Sequence, residues 1–516
     1  MQTTQNIIGL FLDCAEKNPE QIALIDKNGR AYSYQELRTQ VESRAAYLYK
    51  HGLRSGDEVL ICCGQDIDLI RNVLALFYLG AIAVYPGDWT QRTYLEKCCQ
   101  AQACKAMIAA PKARLMAYFS KPLRKIPLKM EAHSPNYHSI FPLAKVQEEQ
   151  NALISFVQKE DQILALKRSH KDLHTLFQSL LEIQDPQAWE IAAHNSLESL
   201  LSYLSMGATS VMLDFKRKVL QKQEVEKLFQ VLSLYKINRL NCDPAMLRAL
   251  SDYLIVEVED LADLQKVYIQ GPAFPIQDAH LFTEALPRTE ITYAYTAAQM
   301  PPLTTAGIRD ILHFSKRDQG CYLGQKLGGV NIKLLDIVDK EVRKLNYQEF
   351  SRLLVPSGEI GEVLLKIDPI VQEKNPELYT KEEVLQVEGD LWYKSGDTAR
   401  FKSGRLYYTG KKESLMEYKL KVLSPFMYEH YLQEINSIAQ ATLLELDGKL
   451  SIIIEARKEN LQEKIGEELK HISLHFDQVI FVRKIPMLKE GSSGIDYTAL
   501  KNMLKEGSIN AAFKLD

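Results

Sequence analysis

A chain of 516 residues is longer than one hydrophobic core usually serves, so two or more domains are expected. With 46% hydrophobic and 25% charged residues the composition is that of an ordinary globular protein, and a net charge of −3 supplies no global field for nucleic acid or an acidic membrane. No apolar run reaches bilayer-spanning length, no basic segment followed by an apolar core opens the sequence, and a cytoplasmic location without a membrane span is expected.

Residues 7–14 carry apolar side chains at helical spacing, and Lys17-Asn18-Pro19 stops that helix. Ile22-Ala23-Leu24-Ile25-Asp26 is a short strand, Asn28-Gly29 a hairpin turn, and Ala31-Tyr32-Ser33 the return strand. Ser33 and Glu36 stand at capping-box spacing and open a helix that continues to Gly52. Residues 56–62 are a turn and a buried strand. Residues 66–79 are a helix, 81–85 a strand, 92–102 a helix, 106–109 a strand and 111–118 a helix. Strand–helix–strand alternation of this kind predicts a parallel sheet with crossover helices. Pro122, Pro127, Pro135 and Pro142 then interrupt the pattern, which predicts a surface loop or subdomain junction over residues 122–143.

Further on, helices are predicted at 171–181, 197–206, 224–234 and 244–253, with strands at 207–214, 239–241, 264–269 and 290–295. Past Cys321 strands dominate, at 331–335, 361–365 and 405–408, as in a β-rich subdomain. From about Lys412 a small α+β tail is expected, with helices at 429–434 and 461–471 and strands near Leu443 and Ile452. The fold class is therefore α/β. A large N-terminal domain of parallel sheets with a β-rich subdomain, residues 1–411, precedes a C-terminal α+β domain, residues 412–516, across a hinge near Lys411-Lys412-Glu413.

Eight cysteines are scattered through the chain: Cys14, Cys62, Cys63, Cys98, Cys99, Cys104, Cys242 and Cys321. They form no paired C-x-x-C knuckles, and a chain of this length needs no disulfide staples, so free thiols are expected. Cys98 and Cys99 lie on the helix predicted at 92–102 and Cys104 just beyond it, with no histidine nearby, and no metal site is assigned.

Several motifs occur in a fixed order. Gly56-Asp57-Glu58-Val59-Leu60 is followed by Ala75-Leu76-Phe77-Tyr78-Leu79-Gly80-Ala81, then Asp243-Pro244-Ala245-Met246-Leu247 and Gln270-Gly271-Pro272-Ala273-Phe274-Pro275. Next come Gly324-Gln325-Lys326-Leu327-Gly328-Gly329-Val330, Gly358-Glu359-Ile360-Gly361-Glu362 and Tyr393-Lys394-Ser395-Gly396-Asp397. In this order the chain resembles the adenylate-forming superfamily of acyl-CoA synthetases, peptide-synthetase adenylation domains and luciferases. It looks most like the branch of β-lactone synthetases of bacterial hydrocarbon biosynthesis and related fatty-acid ligases, a branch that Pro111-Lys112-Ala113-Arg114-Leu115 also resembles. The resemblance implies ATP and Mg²⁺ as cofactors if the protein is active, and an acyl small molecule as ligand.

The positions that carry the family's chemistry depart from it. Residues 156–165 fall where the resemblance places the triphosphate loop, between an apolar strand at Leu153-Ile154 and a helix opened by Ser169-His170. A phosphate loop needs glycine, so that backbone N–H groups face the oxygens, with hydroxyls and a lysine. Residues 156–165 contain no Gly, Ser or Thr, and Glu160 and Asp161 stand where a polyanion would lie. One such carboxylate within about 4 Å of one phosphate charge costs on the order of 4 kcal/mol at an effective dielectric near 20. Lys159 and Lys167 offset part of that. The family's Tyr-Gly-x-Thr-Glu motif is best matched by Tyr295-Thr296-Ala297-Ala298-Gln299, with a second register anchored on Tyr293. Gln299 then replaces the glutamate that holds magnesium, keeping its shape and losing its charge.

Asp397 matches the aspartate that receives the ribose hydroxyls, Gly271 the glycine-rich turn near the adenine, and Gly410-Lys411 the Gly-Arg hinge, where Lys cannot form the Arg fork. Glu417 stands at a position often held by Lys. The tail's catalytic lysine falls near Gly494, with Lys489 the nearest substitute. His194 lies where acyl-CoA synthetases carry a pocket histidine, and a structural histidine is the equal alternative. His170 is expected at a helix start. The Lys167-Arg168 pair and the Lys216-Arg217-Lys218 run are expected on solvated faces.

Two functions from different classes follow. One is a non-catalytic acyl-binding, regulatory or partner subunit, paired with an active paralogue or pathway enzyme. The other is a divergent ATP-dependent ligase or β-lactone-type synthetase for a fatty or β-hydroxy acid, with Lys159 or Lys167 on phosphate, Asp397 on ribose and Gln299 near the metal. Nucleic acid is not an expected partner.

Overall fold

The computed structural model describes residues 5–133, 141–159, 162–213, 220–297, 300–315, 319–337, 344–419, 421–432, 435, 437–457, 462–469, 476–487, 495–505 and 514–515. The chain is mixed α/β, as its alternating pattern predicts, and divides into two compact units. One comprises Met1–Asp243, Asp260–Tyr268 and Ile370–Thr380; the other comprises Pro244–Glu259, Ile269–Pro369 and Lys381–Asp516.

The first unit holds a six-stranded sheet in the order Leu128–Glu131, Ala106–Ala109, Glu58–Cys62, Ile82–Val84, Asn151–Lys159, Gln162–Ser169. The first five strands are mutually parallel, and the last runs antiparallel to its neighbour. The helix Ile67–Leu79 connects two of them and is buried at every residue from Leu69 onward, which is why its sequence is apolar throughout Val73–Leu79, while the buried Arg71 and Asn72 donate to the Ala132 carbonyl. Asp66 caps its start by accepting from the Asp68 N–H at 3.1 Å. Gly80 ends it at φ +72°, where a Cβ would stand 2.7 Å from Ser55 Oγ and 3.0 Å from Val146, so glycine is the residue that fits.

The proline-rich stretch after residue 120 contains more structure than its sequence predicts. Lys121–Arg124 is a short helix and Leu128–Glu131 a strand that pairs in parallel with Ala106–Ala109. Pro127 directly precedes that strand at the sheet edge, where a missing N–H breaks no ladder. The same unit carries a second set of strands, with Ile191–His194 parallel to both Arg239–Cys242 and Thr209–Met212. Thr209–Met212 also pairs in parallel with Ile22–Ile25, whose hairpin partner is Ala31–Ser33.

The second unit is strand-rich, as expected past Cys321. Its thirteen-residue strand Asp390–Lys402 pairs with Gly361–Ile367 on one side and Arg405–Lys411 on the other. The sequence assigned a motif rather than a strand there, because Gly396 at φ +74° reads as a turn. It is a bulge: Glu362 faces Thr398 and Leu364 faces Lys394, so the ladder shifts across Ser395–Asp397.

From Ile438 the chain builds a further sheet of Ile438–Leu446, Lys449–Ala456, Gln478–Val482 and Lys514–Leu515. Alternate residues feed two separate cores. Leu443, Ile452, Ile454, Val479 and Phe481 pack with Leu432, Ile465 and Leu469, whereas Leu444, Ile453, Ile480 and Val482 pack with Ile485 and Leu500. Among the described residues no helix is long and apolar enough to cross a membrane.

Candidate functional site

The stretch expected to be a phosphate loop is a continuous β-hairpin. Its ladder starts at Asn151 opposite Ser169 and runs to Lys159 opposite Gln162. Glu160 and Asp161, which connect the two strands, lie outside the described residues. Without glycine, hydroxyls or turn residues before them, Phe156, Val157, Ile163, Leu164 and Leu166 favour extended backbone, and the pairing continues to the tip. An antiparallel ladder commits its facing N–H groups to the partner strand.

On the outer side of Gln162–Ser169, the backbone of Lys167 is occupied as well. The Lys167 N–H donates to Asn375 Oδ1 at 2.7 Å, and Asn375 Nδ2 donates to the Lys167 carbonyl at 3.2 Å and to Val371 O at 3.1 Å. Asn375 is 2% exposed. Lys374 beside it meets Glu149 at 2.8 Å and Asp172 at 3.7 Å. Lys159, a candidate phosphate ligand, donates to the Leu378 carbonyl at 3.4 Å. Ile370–Thr380 thus packs along the hairpin inside the first unit. Neither Lys374 nor Asn375 was singled out from sequence, since each lies some 200 residues from its partners and belongs to no local pattern.

Arg168 departs from its expected solvated position. It turns inward, 16% exposed, donating to Ser155 Oγ at 2.9 Å and meeting Glu198 at 3.5 Å. The Lys216-Arg217-Lys218 run lies outside the described residues. His170 is the first residue of the helix His170–Gln184, as expected. Ser169 and Asp172 close a capping box before it, and His170 Nδ1 accepts from the Ile7 N–H at 3.2 Å.

His194 ends the strand Ile191–His194 and is completely buried. Asn241 Nδ2 contacts its Nδ1 at 3.1 Å, Ser199 Oγ lies at 2.9 Å, and the Tyr203 ring packs edge-on at 4.7 Å. Nε2 has no partner among the described residues. Burial, reinforced by the Arg239 charge, lowers its pKa to about 3, so the ring is neutral at physiological pH. Below it, Arg239 and Glu190 form a buried ion pair at 2.7 Å that Lys266 joins at 3.1 Å.

In the second unit, four sequence candidates come together. The bulge at Ser395–Asp397 presents Asp397, 4% exposed, to the end of the strand Glu290–Tyr295. The Tyr295 phenol donates to Asp397 Oδ2 at 2.5 Å, and Lys411 makes an ion pair with Oδ1. Burial and the adjacent carboxylate push the Tyr295 phenol well above its ordinary pKa. Partial burial works against the Lys411 charge, but Asp397 outweighs it and the ammonium is raised. The Gly271 carbonyl accepts from the Thr296 N–H at 3.0 Å and from the Tyr293 hydroxyl at 3.4 Å, and a Cβ at 271 would meet Pro244 Cδ at 2.9 Å.

The Gly410-Lys411 segment beside this cluster, expected to be a hinge, is tied down by hydrogen bonds. The Thr398 hydroxyl donates to Gly410 O at 2.9 Å, Thr409 to Thr398 at 3.0 Å, Ser414 to Lys411 O at 2.7 Å, and Ser424 to Thr409 O. Gly410 sits at φ +126°, a conformation open to glycine alone. A half-buried acid, missed by the sequence, lies further on. Glu429 accepts from the Thr442 hydroxyl at 2.6 Å and from the Tyr497 hydroxyl, and burial raises its pKa to about 7.

Ala298, Gln299, Lys489 and Gly494 lie outside the described residues. Among the described residues no group of three or more His, Cys, Asp or Glu side chains could hold a metal ion, and all eight cysteines are free thiols.

The geometry, a two-unit α/β chain, defines a class: the fold is that of the adenylate-forming ligases. Residues 11–171 match the family model of AMP-binding enzymes. An anthranilate CoA ligase, AuaEII, whose structure contains anthranoyl-AMP, superimposes with a TM-score of 0.77 at 15% identity over 98% of both chains. The amide bond synthetase McbA from Marinactinospora thermotolerans gives 0.72 at 17% identity over 96% of this chain and 99% of that one. The fatty acyl CoA synthetase of Mycobacterium tuberculosis gives 0.69 at 14% identity over 98% and 100%.

By sequence, 4-coumarate–CoA ligase-like 6 of Oryza sativa subsp. japonica is 23% identical over 56% of this chain and 46% of its own length. The chain thus spans less than half of that relative. 4-coumarate–CoA ligase-like 5 of the same plant is 21% identical over 92% of this chain and 86% of its own.

Proposed function

We propose that this protein is a non-catalytic member of the adenylate-forming fold, acting as an acyl-binding, regulatory or partner subunit. One observation carries the proposal: the segment at the phosphate-loop position is paired from Asn151/Ser169 to Lys159/Gln162, and its outer edge is bonded to Asn375. A triphosphate needs several free N–H groups converging on its oxygens. Here those groups serve a ladder, and Lys159 points at a carbonyl. Active AMP-binding ligases use ATP and Mg²⁺; the paired hairpin does not fit the phosphates, and among the described residues no carboxylate group is placed for the ion. The decisive assay is acid-dependent pyrophosphate exchange with fatty, β-hydroxy and aromatic acids. No exchange with any acid is the expected result, and acid-dependent exchange would overturn the proposal.

A second reading, a divergent ligase for a fatty or β-hydroxy acid, is favoured by the grouping of Tyr295, Asp397 and Lys411 beside Gly271. That grouping supports retention of a nucleoside-binding half. An active paralogue or pathway enzyme as partner, and a cytoplasmic location, belong with the first proposal, as does the division of labour between residues 1–411 and 412–516.

A further inference from the structure

The net charge of −3 hides a strongly asymmetric stretch. Between Pro111 and Met130 there are six basic residues, Lys112, Arg114, Lys121, Arg124, Lys125 and Lys129, and no acidic one. This stretch folds as the helices Pro111–Phe119 and Lys121–Arg124 followed by an edge strand. Ala113, Ala117, Leu123 and Ile126 point into the core, which leaves the opposite face outward. On that outward face Leu115 is 60% exposed, Tyr118 74% and Phe119 68%. Leu115, Tyr118 and Phe119 stand at i, i+3 and i+4, so they form one continuous stripe on the helix.

Arg114 and Lys129 are used within the fold: Arg114 meets Glu131 at 2.5 Å, and Lys129 donates to Ile126 O at 2.6 Å. Lys112, Lys121, Arg124 and Lys125 are exposed on the same stretch. Three large apolar side chains held in water, with four exposed cations within ten residues of them in the chain, match a surface that offers anionic headgroups outside and hydrocarbon just beneath. Nucleic acid would take the aromatic rings but not Leu115.

We propose that the Pro111–Phe119 helix and the basic turn after it form a peripheral docking surface for anionic lipid bilayers. Leu115, Tyr118 and Phe119 insert at the headgroup boundary, and Lys112, Lys121, Arg124 and Lys125 contact the lipid phosphates and carboxylates. A single short helix gives reversible, salt-sensitive attachment rather than permanent anchoring.

The test is sedimentation of the full chain with phosphatidylcholine vesicles, with and without phosphatidylserine. Two variants are compared, Tyr118→Ser/Phe119→Ser and Lys121→Glu/Arg124→Glu/Lys125→Glu, with thermal melts confirming that both fold. The wild-type protein should partition about tenfold or more onto the anionic vesicles, and each variant should lose most of that gain. Equal partitioning onto both vesicle types, or unchanged binding by the Tyr118/Phe119 variant, would overturn the proposal. So would binding to single-stranded RNA that competes fully with vesicles and survives the Tyr118/Phe119 change.

Discussion

Asn375 bonds both backbone groups of one residue: its carboxamide oxygen accepts from the Lys167 N–H at 2.7 Å, and its amide donates to the Lys167 carbonyl at 3.2 Å. A side chain thereby completes an edge strand that would otherwise present free backbone groups at the phosphate-loop position. Replacing Asn375 by Ala removes the partner of both Lys167 backbone groups, and a loss of about 1–3 kcal/mol is expected in urea unfolding. Lys374→Ala, which removes a partly screened ion pair with Glu149, should cost less than about 1 kcal/mol. Equal effects of the two changes would mean that Asn375 is a surface contact and not a strand completion.

Tyr295 and Lys411 divide the two oxygens of Asp397 between them. Tyr295→Phe keeps the ring in its buried site and removes only the donor, so a destabilisation of about 1–3 kcal/mol is expected. Lys411 is half exposed, and Lys411→Ala should cost less than Tyr295→Phe because water screens the ammonium. Thermal melts of the two single variants and of Asp397→Asn check the order. A larger loss for Lys411→Ala would show that the carboxylate depends on the cation.

Glu429 gives the second unit a pH dependence. Its pKa rises from 4.5 to about 7 because burial disfavours the carboxylate. The native state therefore keeps a proton over a window in which the unfolded chain has lost it. Stability from this group is full below about 4.5, is lost as pH rises from there toward 7, and changes no further above it. Urea midpoints followed across this range should fall, and Glu429→Gln should flatten the slope. An unchanged slope in that variant would assign the titration to another group.

His194 works in the opposite sense in the first unit. Its pKa falls from 6.5 to about 3, and that of His170 to about 4, both chiefly through burial. Below 6.5 the unfolded chain takes up protons that the native state refuses, so stability from these rings is present above 6.5 and is lost as pH falls toward 3. Imidazole proton resonances of His194 should not move between pH 8 and 5, a span lying above its pKa of about 3. A midpoint near 6.5 would mean that the ring is open to water.

Much of this architecture is readable from the sequence alone. The alternation of apolar strands with amphipathic helices before residue 110, the capping box at Ser33, and the strand-rich stretch past Cys321 are local signals, and each element lies where it was expected. The loss of glycine in 156–165 was readable too, but not its consequence. Whether a glycine-free loop stays open or zips into a hairpin depends on what covers its outer edge, and Asn375 is 208 residues away from Lys167. The strand at Leu128–Glu131 was hidden by prolines that are harmless at an edge, and Asp390–Lys402 by a glycine that forms a bulge. The grouping of Tyr295, Asp397 and Lys411 was anticipated only through the order of motifs, since no periodicity links residues so far apart.

The most direct test of the central claim is calorimetric titration of the intact chain with ATP in the presence of Mg²⁺ at moderate salt. With the phosphate-loop segment zipped from Asn151/Ser169 to Lys159/Gln162, no saturable heat is expected up to millimolar ATP. Saturable micromolar binding of ATP that is lost in Lys159→Ala or Lys167→Ala would contradict the claim, because the hairpin would then hold a triphosphate after all.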